Sequence, residues 1–160
     1  ELLHPAVREE ARQIYKEICE ALTGKALCRF SYTLRTYAEQ NALYAQGRTT
    51  PGPKVTQAKG GQSYHNFGLA IDIVLIVDKD SNGSFETASW DTKTDFDGDG
   101  KSDWQEVVNI FKRYGWAWGG EWKFIDMPHF EKTYGLSVNH LAQNVGYKKI
   151  IHGTNYPMLS

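Results

Sequence analysis

The sequence predicts an α+β domain: a small, largely antiparallel sheet with helices packed on it. Three observations predict it. Helical and strand-like segments are mixed rather than alternating, unlike the regular β-α repeats of a parallel sheet. The run "LAIDIVLIV" is apolar almost throughout and reads as a central strand covered on both faces. The chain of 160 residues is long enough to bury a real core, and residues 1–160 are expected to form one domain with no internal repeat or linker.

Taken in order, "HPAVREEARQIYKEICEAL" sets Val7, Ala11, Ile14, Ile18 and Leu22 at helical spacing, with Pro5 suited to the first turn and a stop near Gly24. "ALCRFSYTL" reads as a strand, and "TYAEQNALYAQGR" as a second helix capped by Thr36 and ending around Gly47. A Pro/Gly-rich loop, "TTPGPKVTQAKGGQS", precedes the central strand and has a length that usually serves function. After an Asp/Gly-rich insertion, "WQEVVNIFKRYG" is helical again, "WAWGGEW" is an aromatic turn, and "MPHFEKTY" reads as a final strand. Trp116, Trp118 and Trp122 are expected to pack or to line a wall.

Net charge is −1, with no Lys/Arg block, which argues against a nucleic-acid partner. The apolar runs are far shorter than the roughly 20 residues of a membrane-spanning helix, and "ELLHPAVREE" lacks the shape of a secretory signal. Cys19 and Cys28 do not make a disulfide scaffold, and their separation disfavours a cysteine metal site; two free or buried thiols are expected.

The chemistry concentrates in "GGQSYHNFGLAID", where His65 and Asp72 flank the turn into the central strand. A third candidate, His129, lies in "DMPHF". Two histidines and an aspartate are a ligand set that zinc takes in hydrolases, leaving a fourth position for water or substrate. On spacing alone, local hydrogen bonding in a turn and a strand remains the alternative.

"SYHNFGLAID" resembles the S-x-H-x-x-G-x-A-x-D signature of the VanY-type D-Ala-D-Ala carboxypeptidase and L-alanyl-D-glutamate endopeptidase family of zinc peptidases, the endolysin-like branch included. "DMPHF" resembles its second signature, an acidic residue followed three positions later by the last histidine. "RTYAEQNALYAQGRT" and "GWAWGGEW" are similar to stretches of the endopeptidase branch, so the resemblance runs from about Arg35 to Glu131.

The resemblance implies a zinc site in a cleft on the sheet, held by His65, Asp72 and His129. Asp126 is the implied acid/base and Arg35 a catalytic residue stabilising charge on the carbonyl oxygen, with Gln40, Ser63 and Tyr64 on the substrate side. Asp126 stands where the carboxypeptidase branch usually carries Glu, which favours the endopeptidases. The implied partner is the peptidoglycan peptide stem, cut by a monomer acting at the cell wall, whether periplasmic, extracellular or phage-delivered. The alternatives are a D-Ala-D-Ala carboxypeptidase and a non-catalytic wall-binding metal module.

The insertion carries a separate pattern. "DFDGDGKSDWQE" matches a calcium loop, with Asp95, Asp97, Asp99, Asp103 and Glu106 as oxygen ligands and Gly100 at the sharp turn. The other reading is a solvated loop in which Asp103 caps the next helix. "DKDSNGSFETAS", from Asp78, begins similarly but lacks the terminal glutamate.

Overall fold

A computed structural model describes residues 2–23, 26–80 and 82–160. The stop expected near Gly24, and Ser81 within the weaker acidic loop, lie outside the described residues. The chain divides into two compact units: Ala6–Tyr32 with Ile71–Lys132, and Thr33–Ala70 with Thr133–Ser160 and the N-terminal residues through Pro5.

The first of these units carries the sheet. Helix α1 (Pro5–Ala21) begins on its proline, whose missing N–H costs nothing at that position, and buries Val7, Ala11, Ile14 and Ile18 as the periodicity predicts. Strand β1 (Ala26–Tyr32) pairs antiparallel with β2 (Ala70–Val77), from Ala26 opposite Val77 to Phe30 opposite Ile73. An irregularity between Phe30 and Tyr32 then brings Tyr32 opposite Asp72, and the Ser31 hydroxyl donates to the Asp72 carbonyl at 3.1 Å. A bulge of this kind turns the strand and re-aims its side chains, here beside Asp72.

Strand β3 (Thr87–Ser89) pairs with the far half of β2; β4 (Ala117–Trp118) pairs antiparallel with β5 (His129–Glu131); and the sheet order is β1-β2-β5-β4. The central position and near-complete burial of β2 are as expected. The final strand is shorter than "MPHFEKTY" suggests. Pro128 has no N–H to give to a ladder, and instead its carbonyl accepts from the Ile73 amide at 3.0 Å.

Helix α3 (Asp103–Arg113) is capped by Ser102 and places Asp103 and Glu106 in its first turn and Lys112 and Arg113 in its last, in accord with the helix dipole. Its Phe111 stacks on Phe130 at 4.1 Å and meets Trp116 edge-on at 5.6 Å. Trp116 is therefore core, and its indole donates to Glu10 at 2.6 Å. Lys132 reaches the same Glu10 carboxylate at 3.0 Å, fastening α1 to the end of β5.

In the second unit, α2 (Tyr37–Ala45) starts with a full capping box in which the Thr36 hydroxyl accepts from the Glu39 amide and the Glu39 carboxylate accepts from the Thr36 amide. Helix α4 (Val138–Gly146), capped by Ser137, was not anticipated from the sequence; it buries Leu141 and Asn144, and the Asn144 amide donates to the Met158 carbonyl at 2.9 Å. Among the described residues no helix is long and apolar enough to cross a membrane. Both cysteines are free thiols, Cys19 exposed and Cys28 buried.

Candidate metal centre

His65 sits in a single 3-10 turn, Tyr64–Phe67, entered through Ser63 and closed by Gly68. The Ser63 hydroxyl accepts from the His65 amide at 3.3 Å, and the Asn66 side chain accepts from the Gly61 and Ser63 amides. Gly68 has φ +67, and a Cβ there would lie 2.6 Å from the His4 amide nitrogen, so both conformation and space demand glycine. The ring of His65 is 2% exposed, and its Nδ1 lies 2.7 Å from the Thr33 carbonyl. A carbonyl only accepts, so Nδ1 carries the hydrogen and Nε2 carries the lone pair, the tautomer a metal ligand needs.

Arg35 is tied to the same turn. Its amide donates to the His65 carbonyl at 3.0 Å, and its own carbonyl accepts from the Asn66 side chain at 2.8 Å. It lies beyond β1, in the link to α2.

Gln40 is fully buried: its amide oxygen accepts from Arg35 at 3.0 Å and its nitrogen donates to the Ala58 carbonyl at 2.8 Å. With no exposed surface, this side chain holds the Arg35 guanidinium in place. Ser63 caps the turn, and the Tyr64 hydroxyl donates to the Leu136 carbonyl at 2.6 Å.

In the sheet unit, Asp72 on β2 and His129 on β5 meet, with Nδ1 of His129 lying 3.0 Å from Oδ1 of Asp72. The other ring nitrogen lies 3.0 Å from the Glu131 carboxylate. Burial works against a charge on this ring, yet the two carboxylates outweigh it and push His129 up to about 9. The Trp122 ring lies 5.2 Å from it. Glu131 and Gly119 are the residues the sequence reading passed over. Alternation along β5 puts Glu131 on the same face as His129, a signal that was available.

Asp126 is exposed, in the turn before β5. Its amide donates to the Gly119 carbonyl at 3.0 Å, and its carbonyl accepts from the His129 amide at 3.2 Å. A Cβ on Gly119 would come within 2.4 Å of the Asp126 carbonyl oxygen, so glycine is what lets the aromatic turn close on it. The Trp118 indole, donating to the Met127 carbonyl at 2.7 Å, holds the same turn.

His65 in the second unit, and Asp72 and His129 in the sheet unit, each offer a ligand atom of the kind a metal takes. Two imidazoles and one carboxylate are a nitrogen-and-oxygen set that suits zinc, and both rings have a hydrogen-bond partner of the kind that orients metal-bound histidines. The residues present therefore fit the ion.

Residues 56–132 match the family model described as D-alanyl-D-alanine carboxypeptidase. The chain is also 44% identical over 135 residues to the peptidoglycan L-alanyl-D-glutamate endopeptidase CwlK of Bacillus subtilis (strain 168), a match spanning 81% of this chain and 72% of that protein. The chain belongs to the VanY-type family of zinc peptidases. Its VanY-type fold is similar to that of the L-Ala D-Glu endopeptidase ChiX of Serratia marcescens, with a TM-score of 0.53 over 82% of this chain and 81% of that one. At 23% identity this last likeness is one of fold. Membership makes the chain a metallopeptidase, and the VanY-type signatures read from "SYHNFGLAID" and "DMPHF" belong to the family that the comparisons return.

Proposed function

We propose that this chain is a zinc-dependent peptidoglycan peptidase that hydrolyses the L-alanyl-D-glutamate bond of the peptide stem, at the cell wall. The observation that carries the bond is the 44% identity to a relative of that activity. In this reading His65, Asp72 and His129 hold the zinc, which supplies Lewis acidity toward water and the scissile carbonyl.

The chain's own groups do the rest. The Asp126 carboxylate takes the proton of the attacking water and hands it to the leaving amine. The two hydrogen bonds through its backbone, to Gly119 and from His129, support this role because they fix the turn that carries it. Arg35 offers its guanidinium N–H groups to the carbonyl oxygen as negative charge grows there. Support for that role comes from its bonds to the His65 turn and from Gln40, which limits the guanidinium's freedom.

Mass spectrometry of digested muropeptides is the test. The expected products are fragments with a new D-glutamate amino terminus and L-alanine left on the muramyl part. Release of terminal D-alanine alone would instead make the chain a carboxypeptidase, and binding without cleavage would make it a wall-binding module.

A further inference from the structure

The acidic segment Asp95–Glu106 takes no part in the reaction above, and it carries five carboxylates in twelve residues. Asp95, Asp97 and Asp99 each bring a carboxylate oxygen to within 4.8 Å of the others. The Asp95 carboxylate accepts from the Gly98 and Gly100 amides at 2.6 and 2.9 Å, bending the chain back on itself, and Gly100 takes φ +92 at the sharp turn. Helix α3 then starts at Asp103, ninth in the loop, and carries Glu106, twelfth, in its first turn.

The independent observation is at the helix. The Asp103 side chain is 0% exposed; one of its oxygens accepts from the Phe96 amide, inside the loop, at 2.6 Å, and the other is buried with no hydrogen-bond partner. Oε2 of Glu106 is likewise buried without one. A desolvated carboxylate oxygen is costly unless something positive satisfies it, and protein donors here leave both unsatisfied. The only ammonium on the loop, Lys101, pairs with Asp99 at the surface, where such a pair is weak and readily replaced.

We propose that Asp95–Glu106 binds one Ca²⁺, separately from the zinc ligands. The carboxylates of Asp95, Asp97 and Asp99, the Lys101 carbonyl, Asp103 and Glu106 serve in the order of a twelve-residue calcium loop. All ligands are hard oxygens, which suits calcium and not zinc. Asp97 also accepts from the Thr23 hydroxyl at 2.8 Å, so an ordered loop is anchored beside the end of α1.

Calorimetric titration of CaCl₂ into the zinc-loaded protein tests this, with Asp103→Asn, Glu106→Gln and, on the other acidic loop, Asp78→Asn. Folding of each variant is checked by its zinc content and thermal melt. One calcium is expected to bind with Kd in the range of about 10⁻⁵–10⁻³ M, at least ~10-fold more weakly in Asp103→Asn and Glu106→Gln and unchanged in Asp78→Asn. Should Asp103→Asn fail to fold, Glu106→Gln decides, since its side chain is less buried and the change is isosteric. The proposal is overturned by an absence of heat and of any melting shift at millimolar calcium. Binding that survives Glu106→Gln, or disappears in Asp78→Asn, overturns it equally.

Discussion

Nε2 of His129 lies 3.0 Å from Oε2 of Glu131, two residues further along the same short strand. Alternate residues of a strand share a face, so the pair is set by β5 itself and needs no loop to assemble it. A carboxylate behind a metal-bound histidine fixes the ring and raises its basicity. Glu131→Gln is expected to weaken zinc binding by ~10–100-fold, measured by competition with a chromogenic chelator. An unchanged affinity would reduce Glu131 to a neighbour.

Removal of the metal separates the zinc reading from any other. Dialysis against a chelator is expected to abolish muropeptide cleavage, and added zinc to restore it. Undiminished cleavage by metal-free protein would end the proposal that His65, Asp72 and His129 serve catalysis through zinc.

Asp126→Ala is expected to keep its zinc while turnover falls by ~10²-fold or more, the usual cost of losing a general base. Metal content and rate are measured on the same sample. Loss of zinc in this variant would make Asp126 a ligand or a support, and near-normal turnover would place the base elsewhere.

Gly119→Ala forces a methyl group against the Asp126 carbonyl. A shift of the turn is the only relief, and overpacking of this kind costs about 1–3 kcal/mol. Denaturant titration is expected to show that loss together with reduced cleavage, because the displaced turn carries Asp126. Wild-type stability and rate would show that the turn has room to spare.

The thiols are expected to react very differently. Burial pushes Cys28 up to about 12, so almost none of it is thiolate at pH 8, whereas Cys19 is exposed. A thiol-disulfide reagent should titrate one thiol per folded chain promptly and the second only in denaturant. Two thiols in the fast phase would contradict the burial of Cys28.

Those parts of the fold with a strong period were legible. Val7, Ala11, Ile14 and Ile18 announce α1, and the unbroken apolar run announces β2 as a central strand. Helix α4 was missed because "VNHLAQNVG" buries only Leu141 and Asn144, too little apolar signal to show a period. In the site, His65, Asp72 and His129 stood out because ligand types recur at meaningful spacing. The burial of Gln40 was not legible, since it depends on Ala58 and Thr56, which only the folded loop brings beside it. Gly119 was hidden for the same reason: its need to be glycine comes from Asp126 closing across the turn.

The bonds that Glu10 accepts from Trp116 and from Lys132 join residues 106 and 122 positions apart in the chain. Contacts so distant delay a protein that is being made from its amino end. At roughly 5–20 residues per second, α1 leaves the ribosome some 5–25 s before these partners exist. Glu10 is thus without these donors until Trp116 and then Lys132 emerge.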